Sequence, residues 1–350
     1  MFLKKLICFF ACVCLLLASL TSCGGQDTGG PESHAKAYYE FFDTKSVIYS
    51  YLGDSKSEFE ANCANVASLL REYYKLFDIY YEYAGVNNLK TVNKNAGITP
   101  VKVDEKLIDF LLYAKEIYTL TGGKTNVAMG SVLKLWHDER EIAEDAPSKA
   151  KLPSTDALLE ANGHTDINSI IIDKDAGTVF ISDPDTSIDV GAIGKGYATE
   201  MAAQALIKSG VTSYVLNVGG NIRAIGEKTN GEGWVTGITN PDKTSDEPFV
   251  CRVSIKDISL VTSGDYERFY TVNGVRYHHI IDPETLMPAN YFSSISVFAR
   301  DSGLADALST ALFGMSYEDG AKLVSEIGAS AIWVTSGGDV YSIGEIAFAD

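Results

Sequence analysis

The chain has 350 residues, 46% of them hydrophobic, and a formal net charge of −17 from 46 acidic and 29 basic side chains. That balance, with no run of Lys or Arg, excludes the basic face of a nucleic-acid binder. It favours solubility, and the apolar content is ample for a sizeable core.

Lys4 and Lys5 precede an almost unbroken apolar run from Leu6 to Leu20, followed by Thr21, Ser22 and Cys23. A short positive segment, a short apolar segment and small residues before a cut describe a secretory signal. The run is shorter than the roughly 20 apolar residues of a spanning helix. Ending at a cysteine makes it a bacterial lipoprotein signal. The expected organisation is a signal over 1–22, lipidation at Cys23, a glycine-rich flexible tether over 23–36 and one folded body over 37–350. Of the six cysteines, only Cys63 and Cys251 are left to the body, so one disulfide is the most it could form.

Apolar residues at helical spacing predict an amphipathic helix over Ala61–Tyr83, and Asp104–Leu120 reads as a second, with acidic residues at its start and Gly122-Gly123 at its end. Asp138–Thr155, charged and carrying two prolines, reads as a surface excursion. Two β-branched runs around Lys174–Gly177 predict a hairpin. A helix over Gly194–Gly210 leads to a buried strand, Ser213–Val218, ending at Gly219-Gly220. Strands follow at Trp234, Cys251 and Ser259, helices over Leu304–Phe313 and Tyr317–Ile327, and a last strand at Ala331. Strands and helices are mixed without a regular βαβ repeat, which predicts an α+β fold: one body of mixed, largely antiparallel sheets flanked by helices.

Four segments hold more glycine, carboxylate and hydroxyl than a core requires. Asp189-Val-Gly-Ala-Ile-Gly-Lys-Gly-Tyr-Ala puts three glycines and Lys195 before a helix, where backbone N–H groups could meet a phosphate; a tight turn with a surface lysine is the competing reading. Asn217-Val-Gly-Gly-Asn ends a strand on paired glycines, for close approach to a ligand or for a sharp turn. Thr262-Ser-Gly-Asp-Tyr-Glu-Arg-Phe-Tyr is followed by Tyr277-His-His-Ile-Ile-Asp-Pro, with two of the chain's five histidines side by side. Neighbours on a strand face opposite ways, so at most one of His278 and His279 serves a given site, and a histidine near Asp282 suits a general base. Finally, Asp306 and Thr310, four apart, share a helix face and could offer oxygen ligands to a hard cation, though a helix-capping role for Asp306 competes.

Together and in this order, DVGAIGKGYA, NVGGNIRAIG, TSGDYERFY with HHIIDP, and ADALSTALFGM resemble the ApbE-type FAD:protein FMN transferase family. Weaker echoes lie at Phe42-Asp-Thr44, Asn93–Gly97, Gly122–Asn126 and Leu135-Trp136. The resemblance implies Mg²⁺ held by the Ala192 carbonyl, Asp306 and Thr310, with Ser309 beside them. It implies FAD contacts from Phe42, Tyr80, Lys124, Thr125, Asn126, Asp189, Lys195 and His279, and His279 as general base. The implied activity moves FMN from FAD onto a threonine of a flavin-acceptor subunit of a membrane redox complex, releasing AMP. The alternatives are FAD hydrolysis and non-catalytic FAD binding. The implied location is the cell envelope, lipid-anchored at the periplasmic face of the inner membrane. The chain departs from the family at Thr125-Asn126 (often Phe-Asp), at Asn221 (often Asp) and at Phe42-Asp43-Thr44 (often Met-Gly-Thr).

Overall fold

The computed structural model describes residues 33–350. The signal, Cys23 and most of the tether lie outside the described residues. Strand β1 already begins at His34, so residues 34–36, expected in the tether, belong to the sheet.

In chain order the elements are β1 (His34–Phe41), β2 (Thr44–Ser50), α1 (Lys56–Phe77), α2 (Leu89–Lys94), β3 (Val101–Lys102), α3 (Glu105–Leu120), α4 (Gly130–Asp145) and α5 (Thr155–Asn162). Next come β4 (Ile170–Asp173), β5 (Thr178–Ile181), α6 (Gly194–Lys208), β6 (Tyr214–Val218), β7 (Asn221–Ile225), β8 (Trp234–Thr239), β9 (Phe249–Ile255) and β10 (Ser259–Gly264). The chain ends with β11 (Phe269–Val272), β12 (Val275–His278), β13 (Ser294–Ala299), α7 (Ser302–Ala311), α8 (Tyr317–Ile327), β14 (Ser330–Val334), β15 (Val340–Ile343) and β16 (Phe348–Ala349).

Eight strands form the main sheet in the order β1-β2-β6-β7-β10-β13-β14-β15. The α+β expectation holds, and the paired strands are all antiparallel. Strand β6 explains the layering, because its side chains alternate between faces. Tyr214, Leu216 and Val218 join the core formed with α1, α3 and α6, whereas Val215 packs with Ile238, Val253 and Ile255 of the small β16-β9-β8 sheet. One face of the sheet thus carries helices and the other a second sheet.

Two hairpin turns in this sheet matter below. Gly219 and Gly220 (φ +57° and +91°) link β6 to β7 in a two-residue turn that needs positive φ at both positions. Phe42 and Asp43 (φ +53° and +51°) do the same between β1 and β2, with Asp43 left-handed where the resembled motif often has glycine. The turns abut: Gly219 N–H donates to the Lys45 carbonyl at 3.1 Å, and a Cβ on Gly219 would lie 2.5 Å from Thr44 Cγ2.

Helix α1 starts earlier than the periodicity suggests, at a Ser55/Glu58 capping box, and stops at Asp78 rather than Tyr83. Asp78 Oδ1 accepts from Tyr80 N–H (2.7 Å) and Tyr81 N–H (2.9 Å), and Oδ2 from the Tyr83 hydroxyl (2.6 Å), which turns the chain out of the helix. The excursion expected over Asp138–Thr155 is half helix: α4 runs to Asp145, laced by ion pairs four residues apart at Lys134–Asp138 and Arg140–Glu144.

Candidate active site

Helices α6 and α7 lie antiparallel and touch. Gly196 makes that possible, since a Cβ there would sit 2.3 Å from the Ser302 carbonyl and 2.4 Å from Asp306 Cβ. This glycine serves helix packing rather than phosphate approach. Ile193, at the start of α6, provides no side-chain cap. The third backbone N–H of the helix is satisfied from across the interface, where Asp306 Oδ2 accepts from Gly196 N–H at 2.7 Å. Asn221, the first residue after the paired glycines, adds its Nδ2 at 3.4 Å. Asp306 does not cap its own helix; Asp301 does, accepting from Leu304 N–H at 2.7 Å.

The second oxygen of Asp306 receives no hydrogen bond among the described residues, although the residue is only 5% exposed. Burial pushes its carboxyl up to about 6, against the pull of the nearby Lys195 charge and the Gly196 and Asn221 donors. One turn on, Thr310 Oγ1 donates to the Ala192 carbonyl at a long 3.5 Å. An unbonded carboxylate oxygen of Asp306 and, one turn on, a hydroxyl against a carbonyl thus lie where α7 meets the start of α6. These are the hard donors that Mg²⁺ or Ca²⁺ takes, and the weak internal bond leaves them available, so the residues fit such a cation. Ser309 fits less well as a ligand: it is fully buried, its hydroxyl donates to the Asp306 carbonyl (2.9 Å) and it lies 2.7 Å from Ser263 Oγ. It braces α7 against β10.

Asp189, in the loop before α6, accepts from Gly191 N–H at 2.8 Å. Asn93 holds that loop through both polar atoms of its amide, donating to the Ile188 carbonyl (2.9 Å) and accepting from Ile188 N–H (2.8 Å). Burial raises the Asp189 carboxyl above the usual range, opposed by the Gly191 bond and by the charges of His137, Arg268 and Arg140. Tyr80 shares this surrounding, its ring 5.6 Å from that of His137, and the Arg140 guanidinium bonds His137 Nδ1 at 2.6 Å.

The adjacent histidines separate as strand alternation requires. His278 is buried, bonded to the Ala289 carbonyl (2.6 Å) and to Ile280 N–H (3.2 Å), and burial lowers its pKa. It belongs to the framework. His279 is half-buried and its Nδ1 donates to the Arg268 carbonyl at 3.1 Å, so the neutral ring carries its free lone pair on Nε2. Burial and then the Arg268 charge push it down to about 3. The carboxylate three residues on does not assist it. Asp282 is 3.1 Å from Lys124 Nζ and accepts from Glu284 N–H at 3.1 Å.

Not every expected contact points into this site. Lys124 is held between Asp282 and Glu284, at 3.1 and 2.9 Å. Thr125 is buried, its hydroxyl donating to the Ala307 carbonyl of α7 at 2.8 Å. Asn126 is spent on the Thr165 carbonyl and Ala128 N–H, both at 2.9 Å. Thr125 thus fastens the loop to α7, while Lys124 and Asn126 tie it to the Asp282–Glu284 turn and to Thr165. Phe42 packs edge-on against Tyr74, with ring centroids 5.7 Å apart. Sequence reading missed His137, Arg140, Arg268, Asn93 and Asn221. Arg268 and Asn221 stood inside quoted motifs, whereas Arg140 and His137 signalled only through charge spacing on α4. A separate trio, His164, Asp183 and Asp185, brings ligand atoms within 4.8 Å of one another, but the His164–Asp183 pair (2.8 Å) and an Asp183-capped turn account for it.

The sequence profile of the ApbE family matches residues 44–344. A Treponema pallidum protein named FAD:protein FMN transferase is 33% identical over 92% of this chain and 89% of its own length. One of the same name from Haemophilus influenzae is 27% identical over 95% and 93%. The crystal structure of the ApbE protein of Thermotoga maritima superposes with a TM-score of 0.77 at 28% identity, covering 89% of this chain and 96% of its own. On these likenesses the chain belongs to the ApbE family.

Proposed function

We propose that this protein transfers the FMN half of FAD to a threonine hydroxyl of an acceptor protein, with Mg²⁺, releasing AMP. The observation that carries the proposal is the meeting of Asp306, Thr310 and the Ala192 carbonyl beside a loop that also bears Asp189, which shares its surrounding cations with His279. Asp306, Thr310 and Ala192 would hold the cation, and Ser309 would steady their helix. Bound there, Mg²⁺ supplies positive charge to the phosphoryl oxygens and to the departing AMP.

The chain's own groups do the rest. Lys195, Arg140 and Arg268 supply positive charge for the diphosphate. His279, kept neutral with Nε2 free, takes the proton of the attacking hydroxyl. The diphosphate anion counters the two arginines and raises the basicity of His279 as substrate binds. A bond forms between the threonine oxygen and the FMN phosphorus, the anhydride bond to AMP breaks, and the proton passes to His279. We further propose that the protein is a lipoprotein anchored through Cys23 at the periplasmic face of the inner membrane, acting on subunits of membrane redox complexes.

The test is intact-mass spectrometry of a candidate acceptor after incubation with FAD, Mg²⁺ and this protein. One added FMN is expected, lost when the acceptor threonine is replaced by valine. Rapid AMP release without acceptor, and no labelling with it, would identify a hydrolase. Bound flavin with neither product would identify a carrier.

A further inference from the structure

The interface between α6 and α7 holds a second carboxylate that the proposed chemistry does not use. Glu200 lies on α6 four residues beyond Gly196, with its side chain 3% exposed, and its Oε2 accepts from Ser302 N–H, the first of α7, at 2.9 Å. The same oxygen meets Arg223 Nε of β7 at 3.2 Å, and Arg223, 5% exposed, reaches on to Asp257 at 3.3 Å. Asp306 of α7 does the converse, accepting from Gly196 N–H of α6. Each helix thus lends a carboxylate to an N-terminal N–H of the other, and the two bonds together fix how far α7 can slide along α6.

Burying a Glu–Arg pair is a poor way to gain stability, because well-packed apolar side chains do as well or better. What Glu200 offers instead is a directional grip on the first turn of α7. That grip governs where Asp306 and Thr310 fall relative to the Ala192 carbonyl. Mg²⁺ demands near-ideal geometry at about 2.0–2.1 Å, so a small slide is costly to it.

We infer that Glu200 and Arg223 are positioning residues for the cation site, setting the register of α7 on α6; this rests on the cation reading of Asp306. The test uses the full chain and two readouts: Mn²⁺ binding to the FAD-free protein by electron paramagnetic resonance, and the Mg²⁺ concentration for half-maximal flavin transfer. The double variant Glu200→Leu/Arg223→Met removes the grip and leaves no unpaired charge from the pair inside the interface. It is expected to fold with a Tm within about 5 °C of wild type, the orphaned Ser302 N–H offsetting what the apolar pair gains, to bind Mn²⁺ about 10-fold or more weakly, and to recover most of kcat at saturating Mg²⁺. Glu200→Gln keeps an acceptor for Ser302 N–H and is expected to bind Mn²⁺ within about threefold of wild type.

A folded double variant with wild-type Mn²⁺ affinity overturns the inference, and so does a double variant that cannot fold, since the pair is then needed for the fold itself. Asp306→Asn separates the two levels. If it binds Mn²⁺ as wild type does, or if wild type binds none, the cation reading fails, whatever Glu200 does.

Discussion

Asp306 is tied to two partners of opposite interest, and replacing it two ways separates them. Its Oδ2 satisfies Gly196 N–H inside the helix interface, while burial holds its carboxyl at about 6 rather than 3.8. That displacement corresponds to roughly 3 kcal/mol against the charged form. Asp306→Asn keeps an acceptor for Gly196 and removes the charge, so in metal-free protein near pH 7 it is expected to raise Tm by up to about 5 °C. Asp306→Ala removes both, leaves a buried N–H unpaired, and costs about 1–3 kcal/mol for that orphaned donor. Both variants should lose Mg²⁺-dependent transfer. The sign with pH follows. The folded state binds this proton more tightly than the unfolded one, so metal-free wild type loses stability as pH rises from about 4 through about 6 and levels off above. Asp306→Asn should lack that slope. Mg²⁺ requires the carboxylate and should bind wild type more weakly as pH drops below about 6. Differential scanning calorimetry across pH 4–8, with and without Mg²⁺, measures all of this. Wild-type transfer by Asp306→Asn, or a metal-free Tm of Asp306→Asn no higher than that of Asp306→Ala, would refute the reasoning.

Three other outcomes are expected. His279→Gln should cut transfer by about 10²–10⁴-fold with FAD still bound, whereas His278→Ala should retain transfer in the cold and lose about 2 kcal/mol of stability in urea titration, because the bonds to Ala289 and Ile280 go. Gly196→Ala drives a methyl group into Ser302 and Asp306 and should cost about 1–3 kcal/mol together with Mg²⁺ activation; an active, stable variant would contradict the close packing. Lys124→Met leaves nearly buried Asp282 without its cation and should lower stability by about 3 kcal/mol while KM for FAD stays near wild type; a large rise in KM would restore Lys124 to the FAD contacts.

Much of the site was legible because its residues carry short-range signals. The four-residue spacing of Asp306 and Thr310 put both on one helix face, and strand alternation separated His279 from His278. The N-cap of α3 was plain in Asp104. What stayed hidden depends on distant pairings. Nothing local tells that Gly196 exists for α7, that Asn93 grips Ile188, or that Lys124 answers Asp282 across the fold. Helix α4 was missed because its second half is marked by charges four apart and offers almost no apolar stripe. The edge strand β1 was missed because its alternation, Ala35, Ala37 and Tyr39 outward, sets only His34, Lys36 and Tyr38 on the other row, which is not strongly apolar.

The contact between the β1–β2 turn and the β6–β7 turn gives the first hairpin a role beyond closing a sheet edge. Thr44 leans on Gly219, and two residues after Gly219 comes Asn221, whose amide touches Asp306. A shove on the amino-terminal ribbon is therefore felt, through one glycine pair, at the carboxylate where a cation would sit. Trimming the protein to begin at α1 would leave the reactive corner without its lateral support.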